Sequence, residues 1–321
     1  MKLRIGSRGS QLALWQANHI AALLCEQDHE VEIEIIKTTG DRLQEVTFAE
    51  VGSKGMFTKE IEEALAEGRV DLAVHSLKDL PTELPEPFIL GATPVRVDAR
   101  DAFVSVRYAS VAELPQNARV GTSSPRRCAQ LKALRPGVEV VEFRGNVDTR
   151  LRKLSEGQVD AILLAAAGLE RLGRTDWLRE RLEPKDFCPA AGQGALGIEI
   201  REDDARTLEA IAFLDDPDTR FAVTAERAAL AALGGGCQVP IGTHSRMKFT
   251  QHHKPQDEIF AVVASPETGA VVRIHYQAER NHNDPAAFGR HAAKMLLEAG
   301  AGPLLLDTVA DTSSDTAGDT R

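Results

Sequence analysis

M-F-T-K-E-I-E-E-A-L-A-E-G-R-V-D-L-A-V-H-S-L-K-D-L-P-T-E-L-P-E-P, residues 56 to 87, changes its hydrophobic period twice. The first thirteen residues repeat their apolar positions at helical spacing and close on Gly68, as helices commonly do. V-D-L-A-V-H-S then reads as a strand. Three prolines in the next ten residues, from Lys78 to Pro87, rule out either regular structure and make that stretch a loop. A helix feeding a short apolar strand is the signature of an α/β sheet. Lys78 and Asp79 stand at the strand's carboxyl end, where open α/β sheets place their ligands. Asp79 there could hold N–H groups or stabilise a cation, or it could simply cap the loop.

The same grammar extends outward in both directions. L-R-I-G (3–6) is a short strand. Ser10 can cap a helix whose Leu12, Trp15, His19 and Leu23 follow helical spacing, and V-E-I-E-I-I-K (31–37) alternates like a strand. A second set begins near residue 100: A-F-V-S, A-R-V-G, a helix from Pro125, V-E-V-V-E-F, a helix from about Val147, and D-A-I-L-L-A. L-G-I-E-I (196–200) is a further strand after the loop C-P-A-A-G-Q-G-A. The expectation is an α/β protein with largely parallel strands. From about 217 the pattern becomes a long helix ending at glycines, strands near 241–247, 258–264 and 270–277, and a helix from Pro285 to Ala299, an α+β arrangement. The polar tail D-T-V-A-D-T-S-S-D-T-A-G-D-T-R is expected to be disordered.

The chain of 321 residues is long enough for two or three domains. No apolar run reaches the roughly 18 residues of a membrane span, and the N-terminus turns polar too early for a signal peptide, so the expected location is cytoplasmic. Cysteines 25, 128, 188 and 237 form neither a C-x-x-C pair nor a zinc pattern. His252 and His253, in Q-H-H-K-P-Q-D-E, read as an exposed loop rather than a metal site. No metal is expected.

Net charge is 38 minus 48, or −10, which argues against general affinity for nucleic acid or an anionic membrane. Between Arg119 and Lys153, however, nine basic residues face three acidic ones, a local +6 that leaves −16 for the rest of the chain. T-S-S-P-R-R (122–127) follows a strand and opens a helix, with Ser123 or Ser124 as cap and Pro125 in the first turn. Arg126 and Arg127 then sit where the helix dipole is positive, a conflict that a bound anion would resolve. R-G-N-V-D-T-R (144–150) repeats the arrangement with Arg144 and Arg150. Arginine forks at helix starts suit carboxylates or phosphates, with a solvated charged face as the plain alternative. Arg171, near the end of G-L-E-R-L-G, is compatible with its helix end without any ligand. Arg8, Lys54 and Lys59 say little individually.

G-G-G-C-Q-V-P-I-G (234–242) sets Cys237 behind three glycines, so the thiol lies on a tight turn or loop instead of inside a regular element. A packed structural cysteine is the competing reading.

Nine stretches together resemble the porphobilinogen deaminase family, the hydroxymethylbilane synthases. They are I-G-S-R-G-S-Q-L-A-L-W-Q, V-G-S-K-G-M-F-T-K-E, D-L-A-V-H-S-L-K-D-L-P, D-A-F-V-S, G-T-S-S-P-R-R, F-R-G-N-V-D-T-R-L, A-A-G-L-E-R-L-G, P-A-A-G-Q-G-A-L-G-I-E and G-G-C-Q-V-P-I-G, running from residue 5 to 242. The resemblance implies a transferase of porphyrin, heme and tetrapyrrole biosynthesis. Such an enzyme condenses four porphobilinogen molecules, with loss of ammonia, onto a dipyrromethane primer and releases the linear tetrapyrrole by hydrolysis.

Cys237 matches the thioether attachment site of that primer, and Asp79 the catalytic carboxylate that hydrogen-bonds pyrrole N–H groups and stabilises the cationic azafulvene. Lys78 would assist proton transfer or bind carboxylates. Arg126, Arg127, Arg144, Arg150 and Ser123, with Lys78 and Asp79, match cofactor-binding positions. Arg8, Ser10, Lys54, Arg144, Arg150, Arg171 and Gln193 match substrate-binding ones, and Thr122 is a further contact. Residues 41–56 match a loop over the cleft. Gly234 departs from the pattern, which leads one to expect an acidic residue there.

The implied fold is two α/β domains of the type II periplasmic-binding kind plus a C-terminal α+β domain. Residues 1–97 with 196–216 would form the first domain, 98–195 the anion-binding second, 217–306 the third, which carries Cys237, and 307–321 the tail. The active site would lie between the first two domains. The implied partners are porphobilinogen and the growing oligopyrrole chain, with no nucleic acid or membrane, in a monomer. Two rivals stand beside this reading. One is a non-catalytic solute-binding or effector-sensing module of the same fold. The other is a cysteine hydrolase pairing Cys237 with His244, for which no oriented third partner is apparent.

Overall fold

The computed structural model describes residues 1–39, 58–235, 239–250, 252–280 and 284–305. The chain divides into two compact units, one of residues 1–99, 165–175 and 192–221, the other of residues 100–164, 176–191 and 222 onward.

The first unit is built on β1 (Lys2–Ser7), β2 (Glu30–Ile35), β3 (Leu72–Ser76), β4 (Phe88–Ala92) and β10 (Leu196–Arg201), in the order β2-β1-β3-β10-β4. β1 runs parallel to β2 and β3, whereas β10 pairs antiparallel with both β3 and β4. The sheet is therefore mixed and not largely parallel, because the strand that returns from residue 196 enters against its neighbours.

Helix Gln11–Cys25 covers one face, closing a core of Leu3, Ile5, Ile20, Leu24, Leu72, Val74, Ile198 and Ile200. Helix Lys59–Ala66 brings Ile61, Ala64 and Leu65 against Ile36, Val70 and Ala73 in a second core. Each fully buried Leu or Ile side chain contributes ~1.5–3 kcal/mol by leaving water. Ile5→Ala would therefore cost ~2–5 kcal/mol with its cavity.

The second unit holds β5 (Asp101–Val104), β6 (Arg119–Gly121), β7 (Glu139–Val141), β8 (Ala161–Ala165) and β9 (Leu178–Leu182), in the order β7-β6-β8-β5-β9. β6 is parallel to β7 and β8, and β5 is antiparallel to β9. The two sheets thus share one plan, a parallel trio followed by a strand from elsewhere in the chain and an edge strand, the plan of the type II periplasmic-binding fold. Phe103, Leu114, Val120, Leu131, Leu163 and Phe187 form the core beside the second sheet.

The same unit contains an antiparallel meander of β11 (Ile241–Phe249), β12 (Pro255–Ala264) and β13 (Val271–Glu279). Helix Pro285–Leu296 packs Ala293 and Leu296 against Ala261 and Val263. Gly289 of that helix lets it approach helix Pro217–Ala232 closely: a Cβ there would meet the Ala225 carbonyl oxygen at 1.9 Å.

Helix Pro217–Ala232 ends in a Schellman turn. Gly234 has φ +69° and donates to Ala231 O, while Gly235 N–H reaches Leu230 O. An acidic residue at 234 would have open space for its side chain but a strained backbone. Two of the three glycines are thus accounted for by stopping a helix. Cys237 itself lies outside the described residues, as do Lys54, the 41–56 segment and the tail from 306.

Candidate active site

In the first unit, β3 ends at Ser76 and the chain tightens into a 3-10 turn, Leu77–Asp79, which presents Asp79 exposed and Lys78 half-buried. The turn is fixed from below by the Gly-Gln-Gly segment. Leu77 N–H donates to Ala195 O at 3.1 Å, and Gly192, with φ +72°, lies so close that a Cβ would stand 3.3 Å from the Leu77 carbonyl carbon. Gln193 is buried, donates to Ala99 O at 2.7 Å, and its main-chain carbonyl accepts from Arg96 Nε at 2.8 Å. Those bonds tie Gln193 into the scaffold under the turn.

Asp79 lines a cavity with Arg8, Ser10, Gln16, Thr58, His75 and Ser76. Ser10 is the helix cap the sequence indicates, accepting from Ala13 N–H at 3.3 Å, and Gln16 Nε2 donates to Ser76 Oγ at 2.7 Å. Arg171 ends helix Ala166–Arg171, buried, with one nitrogen on Gly194 O at 2.7 Å and its guanidinium 5.9 Å from the Trp15 ring centre. Burial pulls its pKa down to about 10, and its buried Nε has no partner among the described residues. Arg171 does not line the Asp79 cavity.

In the second unit, Ser124 caps helix Pro125–Leu134, accepting from Arg127 N–H at 3.4 Å. Ser123 instead accepts from Phe143 N–H at 3.1 Å, and Thr122 Oγ1 accepts from Ser124 N–H at 3.2 Å. The anion that relieves Arg126 and Arg127 belongs to the protein. Asp101, fully buried at the head of β5, accepts from Arg126 at 2.7 and 3.3 Å and from Arg127 at 2.9 and 2.7 Å. Arg126 Nη1 also donates to Cys188 O, and Arg127 Nη1 donates to Leu163 O. Asp101 escaped the reading of the residues because it stands 25 positions upstream of Arg126. Its signal was its place in D-A-F-V-S, a charged residue opening a strand that is otherwise apolar.

Helix Val147–Ser155 is likewise capped, by Asn146 on Thr149 N–H at 2.8 Å, so neither helix offers an uncapped start. Its arginines differ from the first pair. Arg144 is paired with the exposed Glu142 at 2.6 Å. Arg150 is half-buried, and its Nε is shielded from water without a hydrogen-bond partner among the described residues. Burial, followed by the neighbouring Arg127 and Arg144 charges, pulls its pKa down to about 10. A cation placed beside two cations and short of acceptors is a site that an incoming carboxylate stabilises.

Among the described residues there is no cluster of three metal-binding side chains, and no helix is long and apolar enough to cross a membrane. His252 and His253 are exposed, between β11 and β12. His244 does have a carboxylate neighbour that the sequence did not reveal, Glu226 at 3.6 Å, but that carboxylate also accepts from Ser245 N–H at 2.7 Å. Cys25, Cys128 and Cys188 are free thiols, and burial pushes the Cys188 thiol far up.

Two mixed sheets of this plan make the chain an α/β protein of the type II periplasmic-binding kind. Residues 3–209 match the porphobilinogen deaminase dipyrromethane cofactor binding domain and residues 220–298 the porphobilinogen deaminase C-terminal domain. The chain belongs to the porphobilinogen deaminase family, and with it is a transferase of tetrapyrrole biosynthesis that works on a dipyrromethane cofactor. It is 49% identical to the porphobilinogen deaminase of Nitratidesulfovibrio vulgaris over 98% of both chains. It is 47% identical to that of Chromobacterium violaceum over 97% of this chain and 99% of the relative. Among solved structures it is similar to the methionine-binding protein MetQ, with a TM-score of 0.43, 13% identity, 66% of this chain and 89% of the other. A periplasmic substrate-binding protein from Coxiella burnetii gives 0.43 and 16% over 68% and 94%.

Proposed function

We propose that Asp79 is the reacting carboxylate and the arginines the carboxylate receptors of a hydroxymethylbilane synthase. It would condense four porphobilinogen molecules stepwise onto a dipyrromethane held by Cys237, then release the linear tetrapyrrole by hydrolysis. Arg150 carries the reading: a shielded guanidinium nitrogen without an acceptor suits a ligand rich in acetate and propionate groups. Arg144, Arg150, Arg126, Arg127 and Ser123 would hold the dipyrromethane together with Lys78 and Asp79. Arg8, Ser10, Lys54, Arg171 and Gln193 would serve the substrate. When bound, the dipyrromethane supplies the nucleophilic pyrrole carbon to which the first unit is added.

Asp79 supports this chemistry by position. It is exposed on a turn that Leu77 and the Gly192 segment hold in place, and it lines the cavity. A carboxylate accepts from pyrrole N–H and lowers the energy of the cation that develops on porphobilinogen as ammonia leaves. Arg126 and Arg127 act differently from Arg150, since Asp101 already neutralises much of their charge. They present a fixed rim, and Arg150 the unspent charge.

The three-domain division, 1–97 with 196–216, 98–195 and 217–306, is part of the proposal, as are a monomeric state and a cytoplasmic location. A solute-binding module is not favoured, because a binder needs neither a catalytic acid nor a thioether anchor. The test is intact mass before and after brief exposure to porphobilinogen, with peptide mapping. The expected result is an excess of two linked pyrroles on Cys237 that grows by single pyrroles. Asp79→Asn should retain the excess and stop the growth. A mass that never changes, even after preformed tetrapyrrole is supplied, contradicts the proposal.

A further inference from the structure

β3 and β10 pair antiparallel, with His75 opposite Gly197 and Ala73 opposite Glu199. His75 and Glu199 are therefore diagonal neighbours, within reach for long side chains. His75 Nε2 stands 2.9 Å from Glu199 Oε2, and both residues are buried. Two features show that this pair is more than filler. The register between β10 and β4 shifts at Ile198 and Glu199, where β4 carries the extra residue Gly91 while β10 stays in register with β3, a bulge of the kind enriched beside active sites. Glu199 is also 0% exposed and its Oε1 has no partner among the described residues. Apolar side chains of similar volume would commonly cost the fold less.

Other charged groups bound the pair. Glu62 approaches from helix Lys59–Ala66. Burial pushes its carboxyl up, and the Glu199 charge adds to that. Arg8 and Asp79 share the cavity that His75 itself lines. The contact with Glu199 engages Nε2 and leaves Nδ1 as the ring's remaining polar atom, an acceptor in the neutral tautomer whose Nε2 carries the proton.

Resting on the reading of Asp79 as the reacting carboxylate, we infer that His75 is a second acceptor in the Asp79 cavity. Its Nδ1 takes a hydrogen bond from an N–H donor of porphobilinogen, and Glu199 is the positioning residue that fixes the ring. The cavity then offers two acceptors to the cationic, N–H-bearing end of the substrate.

The test uses the primed holoenzyme and the single-turnover rate of the first porphobilinogen addition, with intact mass confirming the primer. His75→Gln retains an amide nitrogen near the Nε2 position for Glu199 but removes Nδ1. It should load normally, melt within ~2 °C of the parent and add the first pyrrole about 30-fold more slowly. Glu199→Gln keeps an acceptor and should stay within about threefold, whereas Glu199→Leu should lose about tenfold in kcat with KM little changed. A primed His75→Gln enzyme within threefold of the parent overturns the inference. If that variant does not fold or load, equal rates for Glu199→Gln and Glu199→Leu overturn it instead. Asp79→Asn run in parallel separates the two readings. Normal turnover there removes the site itself, while its loss beside a normal His75→Gln removes only the second acceptor.

Discussion

T-S-S-P-R-R and R-G-N-V-D-T-R look alike in the sequence: a strand, a turn with a cap, and two arginines around a helix start. In the structure they are opposites. The first pair is buried, at 5% and 6% exposure, and locked onto Asp101, which is 0% exposed. The second leaves Arg150 short of acceptors beside two like charges. The difference teaches that a local excess of arginine does not measure readiness for a ligand. What counts is which guanidinium the fold has already satisfied, and a count confined to residues 119–153 omits the one buried carboxylate that decides it.

The largest effect should come from the satisfied site. Asp101→Asn leaves two buried arginines with a neutral partner, and breaking such a cluster costs about 3–5 kcal/mol. Urea unfolding should show the midpoint falling with an unchanged slope. Arg150→Leu should behave in the opposite sense. A guanidinium whose folded pKa lies near 10, below its ordinary 12.5, is penalised in its charged form throughout neutral pH and relieved only as pH rises through 10. Because Arg150 is only half-buried, solvent screening reduces that penalty to about 1 kcal/mol, so the variant should be equally or slightly more stable. Its turnover should nonetheless drop about 100-fold, the scale of losing a charged ligand contact. Glu142→Gln, which removes the exposed partner of Arg144, should change stability by less than ~1 kcal/mol in a thermal melt.

The meander supplies a third kind of basic site, whose effect is confined to acid pH. Glu258 is buried, which works against its charge, but Arg246, His275 and Lys248 surround it and hold its pKa down to about 2. A carboxyl depressed on folding adds stability that is fully present above about 4.5 and lost as pH falls toward 2. Glu258→Gln should therefore flatten the acid side of a stability-against-pH curve between those limits and leave pH 7 turnover unchanged.

Much of this frame was legible beforehand. The caps at Ser10 and near Pro125, the helix from Val147 and the strand ending at Ser76 all follow from period and punctuation. β4, β9 and helix Ala205–Ile211 were not legible. F-I-L-G-A is a short apolar run hidden behind three prolines. L-R-E-R-L buries Leu182 between charged residues whose partners, such as Ser105 O for Arg179, are distant in sequence. The antiparallel entry of β10 could not be inferred from residues that look like any core strand. At the site, the roles proposed for Asp79 and Cys237 come from the resemblance, while the place of Asp79 at a strand end was legible. Asp101, His75 and Glu199 were not, because each acquires meaning only from a partner 25 to 124 positions away.

The measurement closest to the central claim is a paired one on Arg150→Leu: ligand-free unfolding and porphobilinogen turnover from a single preparation. An unchanged or raised unfolding midpoint with turnover down about 100-fold is the predicted result for an arginine held open for the ligand. An unfolding free energy that falls by several kcal/mol, or turnover that survives, would show Arg150 to be one more internal fastening like Arg126.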